Sequence, residues 1–291
     1  MSLPYAGLGV LCLIWGLSIP ATKIGVMAMP PIMLATLRYA AAAPFFAVLA
    51  WRGPRPSGRD LAALAALGVV GIDAGQVAQA LGVARTPASV ATVLSATIPI
   101  LVAVLAAWRL RQALRPIHAA GLLVAVAGVA VIAFARGGAS GTGLAGVALM
   151  LVSALAVAIY YVLAAEMARR LSAASVAAWS SLCGTAPLVI AMPWMGRVSP
   201  TAPGIASVLY LGLLVTVAGF WIWLVVLRHI PARIAAGTQY VQPVIGVVAS
   251  SLLLGDRLMP AFYAGAVLVL AGIALTANPG RPRGPSRAGL V

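Results

Sequence analysis

Acidic residues are the scarcest feature of this chain. It has four Asp and Glu among 291 residues, against 19 Lys and Arg, and all charged residues together make only 8%. A soluble globular chain carries about 25% charged residues, so this one cannot cover itself with a hydrated surface. His and Cys are also rare, two of each, and Cys12 and Cys183 both fall in apolar runs. A disulfide between them, or a metal site built on them, is a poor fit. The HExxH, GxSxG and P-loop patterns are missing, and a single carboxylate, Asp73, lies in the middle of an apolar run. Neither a metalloprotease nor an aspartyl dyad can be assembled from that, and ATP cannot drive the chain directly. The expectation is no enzyme, no metal and no cofactor. A charged n-region and a clear A-x-A cleavage site are lacking too, so the first apolar run reads as a retained helix.

Apolar residues are plentiful, at 63% of the chain and a mean hydropathy of +1.08. Runs between charged or Pro/Gly-rich breaks give ten spans, near 6–27, 31–51, 61–82, 87–108, 116–135, 143–165, 173–195, 203–227, 231–254 and 260–277. Each is close to the ~20 residues that a helix needs to cross ~30 Å of hydrocarbon. The reading is an all-α membrane protein with ten transmembrane helices in a lipid bilayer. Gly and Ala recur inside the spans, as in LGVVGIDAGQVAQALG (67–82), and small residues let membrane helices approach closely. The tail PGRPRGPSRAGLV is rich in Pro, Gly and Arg and is expected to be disordered from 280 to 291.

A net charge of +15 can signal nucleic acid, but here the arginines stand singly or in threes between apolar runs and form no basic face. No nucleic-acid partner is expected. Loops on the side of the N-terminus, with the tail, hold thirteen arginines, among them Arg52, Arg55, Arg59, Arg109, Arg169 and Arg170; the other side holds Arg85, Arg136, Arg197 and Arg257. The excess of Lys and Arg in cytoplasmic loops then places both termini in the cytoplasm.

The chain also repeats itself. Residues 87–133 and 231–277 align without a gap, 144 residues apart, with 14 of 47 positions identical. Pro87 pairs with Pro231, Pro99 with Pro243, Pro116 with Pro260, Gly121 with Gly265 and Gly128 with Gly272. The expected units are 1–136 and 141–279, five spans each. An odd number of spans turns the second unit upside down relative to the first. Inverted-topology repeats of this kind are a hallmark of secondary transporters, with substrate near the midplane between the halves.

Several polar residues fall inside spans. Asp73, Gln76 and Gln79 are spaced by three and form a stripe on the third span. An ionisable group at that depth is a candidate for substrate contact or proton transfer, and its bland alternative is a structural pair with Arg38 of the second span. Lys23 can snorkel to the interface. Thr238, Gln239, Tyr240 and Gln242 make the most polar stretch of any span and either line a cavity or hydrogen-bond between helices. Trp15 and Tyr160 lie too deep for the interfacial aromatic belt; they suit a planar substrate or helix packing. Pro99 and Pro243 each free a carbonyl within a span, as a gate element or an ordinary kink; Pro87 and Pro231 open the same two spans. The substrate-contact candidates are therefore Trp15, Arg38, Asp73, Gln76, Gln79, Tyr160, Gln239, Tyr240 and Gln242.

LIWGLSIPATKIGV, PPIMLATLRYAAAAPFF, the paired Pro-bracketed segments and LGDRL (254–258) resemble the EamA-type drug/metabolite transporters over residues 5–278. Asp256 stands where that superfamily usually has glutamate, and LRQAL (110–114) lacks an acid at the matching place. The resemblance implies ten helices, two EamA repeats, a bacterial inner-membrane location and export of small metabolites. Within the superfamily the chain looks most like the YddG-type exporters of aromatic and related amino acids. The other possibilities are export of another class, such as nucleotide sugars or drug-like cations, and a membrane subunit that transports nothing.

Overall fold

The computed structural model describes residues 2–109, 116–136, 142–196, 199–230, 241–256 and 258–277, and among these the chain is helical with no strand. We number the helices α1 (Tyr5–Ala28), α2 (Pro31–Arg52), α3 (Gly58–Arg85) and α4 (Ala88–Arg109). They continue as α5 (Pro116–Arg136), α6 (Leu144–Met167), α7 (Ala173–Trp194) and α8 (Ala202–Val226). The last two are α9 (Gln242–Leu254) and α10 (Pro260–Ala277). Among the described residues, seven of these, α1–α4 and α6–α8, are long and apolar enough to cross a membrane.

Their ends follow from local chemistry. Pro31, Pro116 and Pro260 each occupy the first helical position, where a missing N–H costs nothing. Ser57 accepts from the Asp60 amide at 3.2 Å while its hydroxyl donates to the Asp60 carboxylate at 2.8 Å, and the Ser172 and Thr201 oxygens cap α7 and α8 by accepting from the Ser175 and Gly204 amides. Gly255 stops α9 at φ 65°, in the left-handed region open to glycine.

Five helices are irregular. α1 is interrupted at Leu17 and α7 ends in a 3-10 turn, Met192–Trp194. α4 is interrupted at Ala96 and Thr97, just before Pro99, which has no N–H to donate to the Ser95 carbonyl. α3 and α8 each contain a π-helical segment, Val69–Ala74 and Tyr210–Ala218. Their last residues, Ala74 and Ala218, are 144 apart, the spacing of the sequence repeat.

Helix contacts recur in equivalent pairs: α3 packs on α6 as α1 does on α8, α4 on α6 as α1 on α9, and α3 on α7 as α2 on α8. α2 with α7, α4 with α9 and α5 with α10 complete the set. α1 also packs on α3, and α6 has no comparable contact with α8 among the described residues. The repeated glycines explain the close α5–α10 crossing. A Cβ on Gly128 of α5 would stand 2.6 Å from the Gly265 carbonyl of α10, and one on Gly272 of α10 would strike the Gly121 carbonyl of α5. Gly68 of α3 meets the backbone of Ser180 and Gly184 on α7, and Gly212 of α8 meets the Arg38 carbonyl on α2. Small residues at these points let backbones touch, the usual basis of helix association in lipid. The largest core joins α1, α3, α4, α5, α6 and α10, with Val90, Val93 and Leu94 fully enclosed. Leu123, Val267 and Leu252 point outward, as suits an apolar solvent.

Candidate functional site

Polar side chains gather where α1, α2, α3 and α8 meet. The cleft there is lined by Thr22, Leu34, Arg38, Gln76, Gln79 and Leu211, and has room for about one water. Arg38 is its only charge among the described residues. Its Nε donates to Thr216 Oγ1 on α8 at 3.1 Å, and Nη1 donates to Gln76 Oε1 on α3 at 3.0 Å. Its guanidinium also lies 5.3 Å from the centroid of the Tyr39 ring. Gln76 and Gln79 of the predicted stripe thus share one cleft with Arg38.

Asp73 does not pair with Arg38, which corrects the structural-pair alternative. The guanidinium is committed to α8 and to Gln76, and the two ion pairs among the described residues lie elsewhere, Arg109–Glu166 and Arg170–Asp60. Asp73 sits in the π-helical segment of α3, with Oδ1 enclosed and lacking a hydrogen-bond partner. π-turns are frequent at functional sites.

Trp15 lies outside the cleft lining. Its indole N–H donates to the Val215 carbonyl of α8 at 3.0 Å, its ring packs on Trp223, and Gly219 leaves room for it. The Tyr210 hydroxyl returns the tie, donating to the Ile14 carbonyl at 2.9 Å. Tyr160 lies against Gly71 of α3, and its hydroxyl is 3.1 Å from Ser180 Oγ on α7. Both deep aromatics are placed between helices. Gln242 opens the described part of α9, next to Pro243 in its first turn, and its carbonyl lies near Gly16 of α1. Pro87 is the residue before α4. Pro231, Thr238, Gln239 and Tyr240 lie outside the described residues.

Lys23, half-buried, spends its ammonium on backbone carbonyls near a span end. Its Nζ donates to the carbonyls of Val83 and Thr86, both at 2.9 Å, at the C-terminal end of α3. Across the following turn, Asp256 accepts from the Ser89 amide at 2.8 Å at the start of α4. A cation at a helix C-terminus and an anion at an N-terminus both suit the helix dipole.

The sequence reading missed Thr216 and Tyr210. Thr216 is the single hydroxyl in the apolar stretch LGLLVTVAG (211–219), which was the available signal. Among the described residues, no group of three or more His, Cys, Asp or Glu is arranged to hold a metal.

Apolar helices, packed through glycine and enclosing a small polar cleft around an arginine, define a multi-pass membrane protein. The comparisons with known proteins say which kind. The EamA-like transporter family matches residues 5–134 and again 144–278. An uncharacterized transporter of Archaeoglobus fulgidus is 31% identical, over 89% of this chain and 93% of that one. A probable terminal-alkyne amino-acid exporter of Streptantibioticus cattleyicolor is also 31% identical, over 90% and 89%. A probable amino-acid metabolite efflux pump of Salmonella typhimurium is 27% identical, over 89% and 90%. One crystal structure superposes with a TM-score of 0.66 at 20% identity, over 94% of this chain and 97% of that one, a likeness of fold. The chain belongs to the EamA-like transporter family and is a membrane transporter.

Proposed function

We propose that the chain exports aromatic or other small hydrophobic amino acids and related metabolites by alternating access, with Arg38 receiving the substrate carboxylate. One observation carries this reading. Arg38 faces the cleft with no acidic partner among the described residues, and its Nη2 group makes no hydrogen bond there. A guanidinium inside a membrane is costly unless it is paired, and a planar fork of donors matches a carboxylate. Gln76 and Gln79 supply further polar contacts, and Asp73, one turn away, is available to an ammonium group or a proton. The names of two relatives, an amino-acid exporter and an amino-acid metabolite efflux pump, point to the same substrate class.

On this reading, ten helices form two inverted five-helix units, 1–136 and 141–279, in a bacterial inner membrane with both termini in the cytoplasm. The equivalent helix pairs, the π-segments 144 residues apart and the double family match support that arrangement. The cleft is too small for an amino acid, so helices must part on one side and then the other. Gln239, Tyr240 and Gln242 complete the proposed substrate path, and the Pro87/Pro99 and Pro231/Pro243 segments are the proposed gate elements.

The test is counterflow into liposomes containing the purified protein, with L-phenylalanine, L-leucine, a sugar and an organic cation. Saturable counterflow of the amino acids, lost in Arg38→Gln protein that is still folded, is the expected result. Counterflow of the sugar or cation alone, or of none of the four, would overturn the substrate assignment.

A further inference from the structure

Threonine hydroxyls elsewhere in the fold bond back along their own helices by the ordinary rule: Thr22 to the Ser18 carbonyl, Thr36 to Ile32, Thr86 to Gly82, Thr92 to Ala88 and Thr185 to Ser181, each four residues back. Thr216 reaches five back, to the Leu211 carbonyl at 2.8 Å. It can do so because Tyr210–Ala218 is π-helical, which brings the fifth carbonyl beneath it. A hydroxyl has one hydrogen. With that hydrogen committed to Leu211, the Thr216 oxygen can only accept from Arg38, and it accepts from Nε at 3.1 Å.

Arginine has only donors, so Gln76 must turn its carbonyl-type oxygen toward Nη1. The guanidinium is therefore fixed at two corners by two different helices. The fork that uses Nε is closed to a ligand; Nη2 and the second Nη1 hydrogen remain. Leu211, whose carbonyl starts this chain of bonds, lines the same cleft as Arg38.

We propose that Thr216 is a positioning residue for substrate recognition: through the π-turn of α8 it holds the Arg38 guanidinium with its Nη2 edge open to a substrate carboxylate. The inference rests on the proposed carboxylate-binding role of Arg38. Without the hydroxyl, the arginine keeps its charge and loses its orientation. The cost then falls on carboxylate binding and not on the conformational cycle.

The experiment is counterflow of L-phenylalanine and of L-phenylalaninamide, which lacks the carboxylate, in liposomes containing wild-type, Thr216→Val, Thr216→Ser or Arg38→Gln protein. Thr216→Val should raise the half-saturating L-phenylalanine concentration about tenfold, the scale of one hydrogen bond to a charged group, with a maximal rate close to wild type. It should leave the weaker response to the amide unchanged, and Thr216→Ser should restore the wild-type value. An unchanged half-saturation in Thr216→Val, or an equal loss for both solutes, would overturn the positioning role. Should Thr216→Val not fold, Thr216→Ala carries the same expectation, and failure of both to fold would make the hydroxyl a packing group and refute the proposal. If Arg38→Gln impairs L-phenylalanine and Thr216→Val does not, the positioning inference falls alone. If Arg38→Gln leaves the half-saturation of wild type, or wild type exchanges neither solute, the carboxylate site falls with it.

Discussion

Adding one methyl group at Gly128 tests the close crossing of α5 and α10 directly. A Cβ there would stand 2.6 Å from the Gly265 carbonyl and 2.8 Å from the Val269 amide nitrogen, whereas ordinary contact begins at 3.4 Å, so α5 and α10 must separate by about 0.8 Å. The obstruction is backbone, which no rotamer change relieves. Overpacking of this kind costs about 1–3 kcal/mol. Gly→Ala also brings a helix-propensity gain of up to about 1 kcal/mol, and the control for it is Gly9→Ala on α1, where nothing lies within 4 Å. The difference between the two variants isolates the crossing. In detergent, Gly128→Ala should melt roughly 2–10 °C below Gly9→Ala. Gly272→Ala, which strikes the Gly121 carbonyl, should behave alike. The double variant should lose less than the sum, because the first methyl has already pushed the helices apart. Equal melting of Gly128→Ala and Gly9→Ala would refute the close crossing.

Three more outcomes can be checked. Asp73→Asn should keep the melting temperature of wild type, because no ion pair with Arg38 is broken; a drop that Arg38→Gln partly restores would reinstate the pair, and loss of proton-driven accumulation with exchange intact would mark Asp73 as the coupling group. Lys23→Met, which orphans carbonyls at the end of α3, should cost about 1–3 kcal/mol, and Asp256→Asn less, since an amide oxygen still accepts from Ser89; denaturation of the folded protein measures both. For orientation, Gly138→Cys and Gly196→Cys should react with an impermeant thiol reagent outside intact cells and Gly58→Cys should not, so labelling of Gly58→Cys would reverse the proposed topology.

Span limits were legible in the sequence because in lipid every stretch of backbone must close its own hydrogen bonds. Hydropathy therefore placed α2 at 31–51 and α7 at 173–195, against Pro31–Arg52 and Ala173–Trp194 in the structure. The paired glycines were visible as a repeat, but that Gly128 and Gly272 press into the same crossing depends on how α5 and α10 are arranged in space. Pairing Arg38 with Asp73 failed because it counted charges and not directions: the arginine is held by the neutral Gln76 and Thr216. Depth left Trp15 open to substrate contact or helix packing, and only the structure shows its N–H bonded to the Val215 carbonyl. The π-turns had no sequence signal at all. VVGIDA and YLGLLVTVA read as ordinary apolar helix, and the extra residue per turn shows only in the backbone.

The α5–α10 crossing reads the same from either end: Gly128 faces Gly265, and Gly272 faces Gly121. In an isologous contact of this kind, residue i meets j and j meets i. Such a contact stores no preference for one end over the other, so it is energetically blind to direction. Any directional bias must come from positions where the two halves differ. Asp256 has only Gln112 144 residues earlier, and Asp73 has Val217 144 residues later. A gap of about 1.4 kcal/mol between two states is already a tenfold imbalance in population, so a few unmatched charges such as Asp73 and Asp256 are enough to give a symmetric framework a direction.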